Sequence, residues 1–158
     1  MINHLTLKVS DYQRAKQFYG AALAPLGYTV MMEFEGYAGL GAGHPDLWIT
    51  ADPQNLRPMH FALSAPDQAA VDAFHRAALA AGAEDNGKPG PRPDYGPNYY
   101  AAFVHDPDGH NVEAVFIATP KPAGGAKRAG AKRKAGGTAK RAAPRKGGKA
   151  GAKRRSRR

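Results

Sequence analysis

Shifted on itself by 56 residues, the chain lays His4-Leu-Thr-Leu7 over His60-Phe-Ala-Leu63, Asp11 over Asp67, Ala15 over Val71 and Phe18 over Phe74. The match spans a whole strand and a whole helix, and two copies are too few for a solenoid, so two pseudo-symmetric modules within one domain are expected. At about 60 residues each, neither module would bury enough surface to stand comfortably alone.

Each module reads as βαβββ. In Ile2 to Val9, Leu5, Leu7 and Val9 share one face while His4, Thr6 and Lys8 share the other, the period of a strand covered on one side. Ser10 with Gln13 three residues later suggests a capping box for a helix from about Asp11 to Ala24, which Pro25 and Gly27 end. Tyr28 to Glu35, Tyr37 to Ala42 and Asp46 to Ala51 are β-prone runs separated by Gly36 and by Gly43-His-Pro45. The second copy gives a strand from Pro58 to Ala65, a helix from Asp67 to Ala81 that Gly82 stops, and strands at Tyr99 to His105 and Asn111 to Ile117. Between helix and strands, a short strand near Ala83 to Asn86 and a long Pro/Gly loop from Gly87 to Pro97 are expected. The predicted fold is α+β, two βαβββ modules forming an open, curled mixed sheet with a cleft, over residues 1–119.

Charge sets the remainder apart. Lys121 to Arg158 carries 16 of the 23 basic residues and none of the 13 acidic ones, leaving residues 1–120 with 7 basic and 13 acidic. No residue of that tail is both apolar and larger than Ala, apart from its prolines, so burial there cannot offset backbone entropy, and disorder is expected over 120–158. Its cations suit sequence-indifferent, salt-sensitive binding of nucleic acid, through Lys127, Arg128, Lys132, Arg133, Lys134, Lys140, Arg141, Arg154 and Arg155. No aromatic residue interleaves them, so base stacking is not on offer. Zero Cys excludes disulfides, thiolate catalysis and Cys-based metal sites. With no secretory leader pattern and no apolar run of membrane-spanning length, the expected location is cytoplasmic, in association with nucleic acid if the tail binds it, and no membrane partner is expected.

His4 and His60 fall at equivalent places on the polar faces of the two leading strands, and Glu113 lies in the last strand. Two imidazoles and one carboxylate converging from three strands make a set that holds a divalent metal and leaves neighbouring positions open. The expected cofactor is one divalent ion, Fe, Mn, Ni or Zn. Such an ion acts as a Lewis acid or as a site for oxygen activation.

These residues resemble the vicinal oxygen chelate superfamily, which includes glyoxalase I, fosfomycin-resistance transferases, extradiol dioxygenases and bleomycin-resistance binding proteins. The resemblance rests on the opening His4 followed by Val9-Ser-Asp11 and Phe18-Tyr19, on Met59-His-Phe61, and on Asp106-Pro-Asp-Gly-His-Asn-Val-Glu113. It implies His4, His60 and Glu113 as metal ligands and a small-molecule substrate with adjacent oxygen donors, in a glyoxalase-like lyase or a dioxygenase. Glu113 would also serve as the catalytic proton acceptor when displaced from the metal. Two departures stand out: the position of a fourth, glyoxalase I-like carboxylate falls on Trp48 or Leu47, and the tyrosine of fosfomycin transferases is Phe103. The alternatives are a metal-free, ligand-sequestering protein and a nucleic-acid-tethered domain acting through its tail.

Further expectations concern the walls of the cleft. Tyr95, Tyr99 and Tyr100 adjoin the Pro/Gly loop as a rim over substrate, Trp48 and Phe34 supply an apolar wall, and Arg92 and Lys8 are candidate anchors for an anionic group. His44, His75, His105 and His110 receive no role, His75 being assigned to the solvent side of its helix. Exposed sheet edges predict a homodimer.

Overall fold

The structure, a computed structural model, describes residues 2–119. The tail and the nucleic-acid-binding residues expected in it lie outside the described residues. Ten principal elements follow in the order β1 (Leu5–Val9), α1 (Tyr12–Ala22), β2 (Thr29–Phe34), β3 (Tyr37–Gly41), β4 (Leu47–Ala51), β5 (His60–Ser64), α2 (Gln68–Ala80), β6 (Glu84–Pro91), β7 (Tyr99–His105) and β8 (Asn111–Ile117). They form two four-stranded sheets of like topology, β1-β4-β3-β2 and β5-β8-β7-β6. In each, the first strand pairs in parallel with the last, and the remaining pairs are antiparallel. The α+β architecture with two βαβββ modules is therefore the one the repeat implied.

The helices start alike because the repeat preserves their caps. Asp11 accepts from the Arg14 N–H at 3.0 Å and Asp67 from the Ala70 N–H at 2.8 Å, each satisfying a donor that the first helical turn leaves open. Ser10, expected as a cap, binds Asp108 instead. The inward stripes are Ala15, Phe18, Tyr19 and Ala22 on α1 and Val71, Phe74, His75 and Ala78 on α2. They pack with Leu7, Val9, Leu40, Leu47, Ile49, Val104 and Val112 from the strands into one core shared by both modules. His75 is thus buried rather than on the solvent side, and its Nε2 lies 3.0 Å from Asp85 of β6.

A polar clasp joins the modules. Asp106, 5% exposed, accepts from the Tyr19 hydroxyl at 2.6 Å and from the N–H groups of Asp108 and His110 at 3.0 and 2.7 Å. Asp108 in turn accepts from Ser10 and from Arg14 at 2.8 Å. His110 is fully buried; its Nδ1 accepts from the Met59 N–H at 3.2 Å, so its Nε2 is the nitrogen that donates to the Lys8 carbonyl at 3.0 Å. The turn between β7 and β8 thereby grips the β1–α1 corner of the other module. Gly109, at φ 83°, supplies the left-handed residue that this turn needs.

Burial, and then the neighbouring Asp106 carboxylate, hold the Tyr19 phenol well above its ordinary range. A raised phenol pKa favours the protonated form in the folded state, so the stability it contributes is complete below about pH 10, where unfolded tyrosine ionises. That contribution is lost as pH rises through the folded value. Thermal midpoints followed above pH 10 should therefore fall more steeply for the native chain than for Tyr19→Phe; parallel curves would contradict this.

Candidate metal and ligand site

The outer face of the second sheet holds a cleft of about 500 Å³ lined by His60, Asn86, Gly87, Arg92, Tyr95, Tyr99, Phe103, Asn111 and Glu113. Strand register builds it. β5 and β8 align His60 with Asn111 and Ala62 with Glu113, while β7 aligns Phe103 with Glu113. Side chains two apart on a strand share a face, so Asn111 and Glu113 emerge beside His60.

His60 Nε2 lies 3.2 Å from Glu113 Oε2, with the Glu113 side chain 3% exposed and that of His60 51% exposed. The other ring nitrogen, Nδ1, lies 3.1 Å from the Asn111 backbone carbonyl, which can only accept, so Nδ1 must carry a proton. In the neutral ring Nε2 then presents a lone pair to a carboxylate oxygen. Two acceptors at this distance repel unless something positive sits between them, a proton or a metal ion. Glu113 Oε1 is satisfied separately, accepting from the Tyr99 hydroxyl at 2.6 Å. Burial, then the hydrogen bond to Glu113, push the Tyr99 phenol up to about 12, so it remains a donor at neutral pH. Asn111 Oδ1 is buried with no hydrogen-bond partner.

The pair also passes a test of fit for an ion. Bonds of about 2.1 Å from one cation to two adjacent ligands place those ligand atoms roughly 3.0 to 3.4 Å apart, depending on whether the angle is octahedral or tetrahedral. The observed 3.2 Å falls inside that interval. A backbone carbonyl fixing the far nitrogen is the usual support of a metal-bound imidazole. Among the described residues, however, no three His, Asp or Glu side chains gather closely enough to hold an ion by themselves.

His4 stands apart from the pair. It lines a second cleft, of about 530 Å³, with Asn3, Thr6, Tyr37, His44, Pro45 and Trp48. Phe34 stacks against Trp48 at 6.2 Å between ring centroids. This cleft is the first module's counterpart of the one containing Glu113. The register of Thr6 with Trp48 matches that of Ala62 with Glu113, which sets Trp48, not Leu47, in the carboxylate's equivalent place. His4 and His60 both border a mainly apolar groove of about 610 Å³, together with Leu5, Met59 and Phe61.

The remaining expectations divide. Tyr95 and Tyr99 line the second module's cleft with their rings in an edge contact at 5.3 Å. Tyr100, the next residue along β7, faces the other way: its hydroxyl donates to Asp72 of α2 at 2.8 Å and its ring packs on the core, so the rim role assigned to it is corrected. Trp48 belongs to the first cleft and does not join Tyr95, Tyr99 and Arg92. Arg92 lies in the cleft as expected, whereas Lys8 is paired with Asp52 at 2.7 Å. Sequence reasoning missed Asn111, whose only signal was its position two residues before Glu113.

Residues 1–114 match the model of the Glyoxalase/Bleomycin resistance protein/Dioxygenase superfamily. The chain belongs to that superfamily. Among solved structures, a glyoxalase/bleomycin resistance protein from Albidiferax ferrireducens T118 is 24% identical with a TM-score of 0.65, the match covering 73% of this chain and 98% of that one. A glyoxalase-related enzyme from Fulvimarina pelagi is 18% identical with a TM-score of 0.58, covering 73% and 87%. A glyoxalase I mutant from Zea mays is 25% identical with a TM-score of 0.55, covering 72% of this chain and 45% of its own. No curated protein matches the chain. Superfamily members include enzymes and often bind a divalent metal, and the domain commonly forms dimers. No helix among the described residues is long and apolar enough to cross a membrane.

Proposed function

We propose that the protein is a divalent-metal-dependent enzyme acting on a small molecule with adjacent oxygen donors, in the manner of a glyoxalase-like lyase or a dioxygenase. The observation that carries this reading is the 3.2 Å spacing between His60 Nε2 and the Oε2 of the buried Glu113 carboxylate, which suits two ligands of one ion. His60 and Glu113 are two of the ligands. His4 is the third and, because it lies in the first module's cleft, a second copy of the chain brings it to the pair. The apolar edge strand β2, with Val30, Met31, Met32 and Phe34 exposed, is the kind of surface that such a dimer would cover.

The bound ion would act as a Lewis acid on the substrate's oxygens, by analogy with metal-assisted chemistry in general. The chain's own residues supply the rest. The Tyr99 hydroxyl fixes the Glu113 carboxylate through Oε1, and Oε2, toward His60, would take a proton once displaced from the ion. Tyr95, Tyr99 and Phe103 wall the cleft, where they would exclude water from a bound ligand. Metal titration tests the proposal: the native chain should bind one equivalent of Zn or Mn and His60→Ala none, and a native chain that retains no divalent ion would overturn it.

For the tail we propose nonspecific nucleic-acid binding, supported by its 16 cations without a single acid. A chain ending at Thr119 should lose the DNA retention that the full chain shows in a low-salt gel shift. Equal retention by both would remove the tail from that role.

A further inference from the structure

The metal pair accounts for one part of the second module's cleft; Arg92 accounts for another. β6 meets β7 out of register twice, between Asp85 and Gly87 and again between Gly87 and Gly90, so the strand arches where its glycines fall. The space that those glycines leave is filled by a guanidinium. A Cβ on Gly87 would lie 3.4 Å from Arg92 Nη2 and 3.0 Å from Phe103 Cδ2, and one on Gly90 would lie 3.4 Å from Arg92 Nη1. Arg92 Nη2 donates to the Lys88 carbonyl at 2.7 Å and Nη1 to the Pro91 carbonyl at 3.4 Å. The Cζ atom stands 5.4 Å from the centre of the Phe103 ring, a cation over an aromatic face.

These contacts fix the group's place without neutralising it. Two of the guanidinium's five N–H donors are used, and no carboxylate among the described residues lies within 4 Å of it. A half-buried, pre-positioned fork with three free donors is a surface for an oxyanion that offers two adjacent oxygens, and pre-positioning lowers the entropy lost on binding.

We propose that Arg92 is an oxyanion subsite: the cleft takes a small molecule bearing a carboxylate or phosphonate, which binds the Arg92 fork while the molecule's other oxygens meet the His60–Glu113 pair. This deepens the metal-site reading and rests on it only for the second half of that statement. The flat walls of Phe103, Tyr95 and Tyr99 suit an unsaturated or aromatic body between the two ends. Substrates that are neutral at both ends are disfavoured, since they would leave the cation unmatched.

The test uses the full chain, with benzoate, phenylphosphonate and the neutral analogue benzamide as probes. Amide NMR shifts of Gly87 and Phe103 report the cleft and ignore anions held elsewhere. Titrations are run with a chelator present and again after zinc loading. Benzoate or phenylphosphonate should move these signals at concentrations where benzamide does not, and the better of the two identifies the oxyanion. Arg92→Gln should weaken the anion by about 10- to 100-fold, the range for a hydrogen bond to a charged group, and Arg92→Lys by less. The proposal is overturned if benzamide matches the anions, if Arg92→Gln binds them as the native chain does, or if no probe moves either signal. Arg92-dependent anion binding in a chain that holds no metal would defeat the metal reading alone. Zinc bound at His60 and Glu113 without any Arg92-dependent preference would defeat this one alone.

Discussion

Replacing Glu113 by Gln should lower divalent-metal affinity by on the order of 100-fold or more, with the fold retained. Gln preserves the volume and still offers an oxygen, so Tyr99 keeps an acceptor, but the negative charge that faces His60 Nε2 at 3.2 Å is gone. Loss of a ligand charge should exceed loss of a supporting hydrogen bond, which typically costs about 10- to 100-fold in metal affinity. Tyr99→Phe provides the comparison: it removes only the 2.6 Å bond to Oε1 and should cost roughly tenfold. Isothermal titration with Zn or Mn measures both. An unchanged affinity in Glu113→Gln would mean that any ion binds elsewhere, and equal losses in the two variants would mean that Glu113 acts only through its hydrogen bonds.

The largest effect on stability is expected at Asp106, far from that chemistry. Asp106→Ala removes the acceptor for three donors at once, and leaves the buried Tyr19 hydroxyl and the His110 N–H without partners. An unsatisfied buried donor costs about 1 to 3 kcal/mol, so a loss of roughly 3 to 5 kcal/mol follows, lowering the melting midpoint by roughly 12 to 20 °C for a domain of this size. Asp106→Asn keeps one oxygen for the backbone N–H groups and should lose less. Chemical denaturation of both variants gives the values; a loss below about 1 kcal/mol in Asp106→Ala would show that water replaces the carboxylate and that the clasp does not hold the modules together.

What could be read from residues alone followed periodicity and repetition. β7 and β8 have the bounds that alternation gave, and the two Asp caps lie at the repeat's own spacing. Gly87, Pro89, Gly90 and Pro91 read as breakers and predict a loop over most of β6. It is an edge strand, where a residue without an N–H is tolerated on the unpaired side, and its register shifts absorb the glycines. Its place beside the Pro/Gly loop suggests the rim for Tyr100 as for Tyr99, but neighbours on a strand face opposite ways, and Tyr100 turns to Asp72. His75 and His110 show the deeper difficulty. Each is buried by what another module or strand brings to it, Asp85 for one and Lys8 with Met59 for the other, and no local pattern announces such partners.

The candidate site was legible in the same unequal way. His60 and Glu113 announced themselves by the repeat and by the turn before β8, and the structure brings them together. His4 obeyed the same repeat yet lies in the other cleft, because equivalence within a pseudo-symmetric pair places residues in like positions and not in one place. Trp48 shows why only one of the two clefts carries a carboxylate: it occupies the register position that Glu113 holds in the second sheet.

A crystal structure of the protein loaded with cobalt, with the ion located by its anomalous scattering, bears most directly on the whole account. A single strong peak between His60 Nε2 and Glu113 Oε2, with an imidazole from a second copy completing the set, is the predicted result. Cobalt found only at other sites, with that pair joined by nothing but a proton, would contradict it.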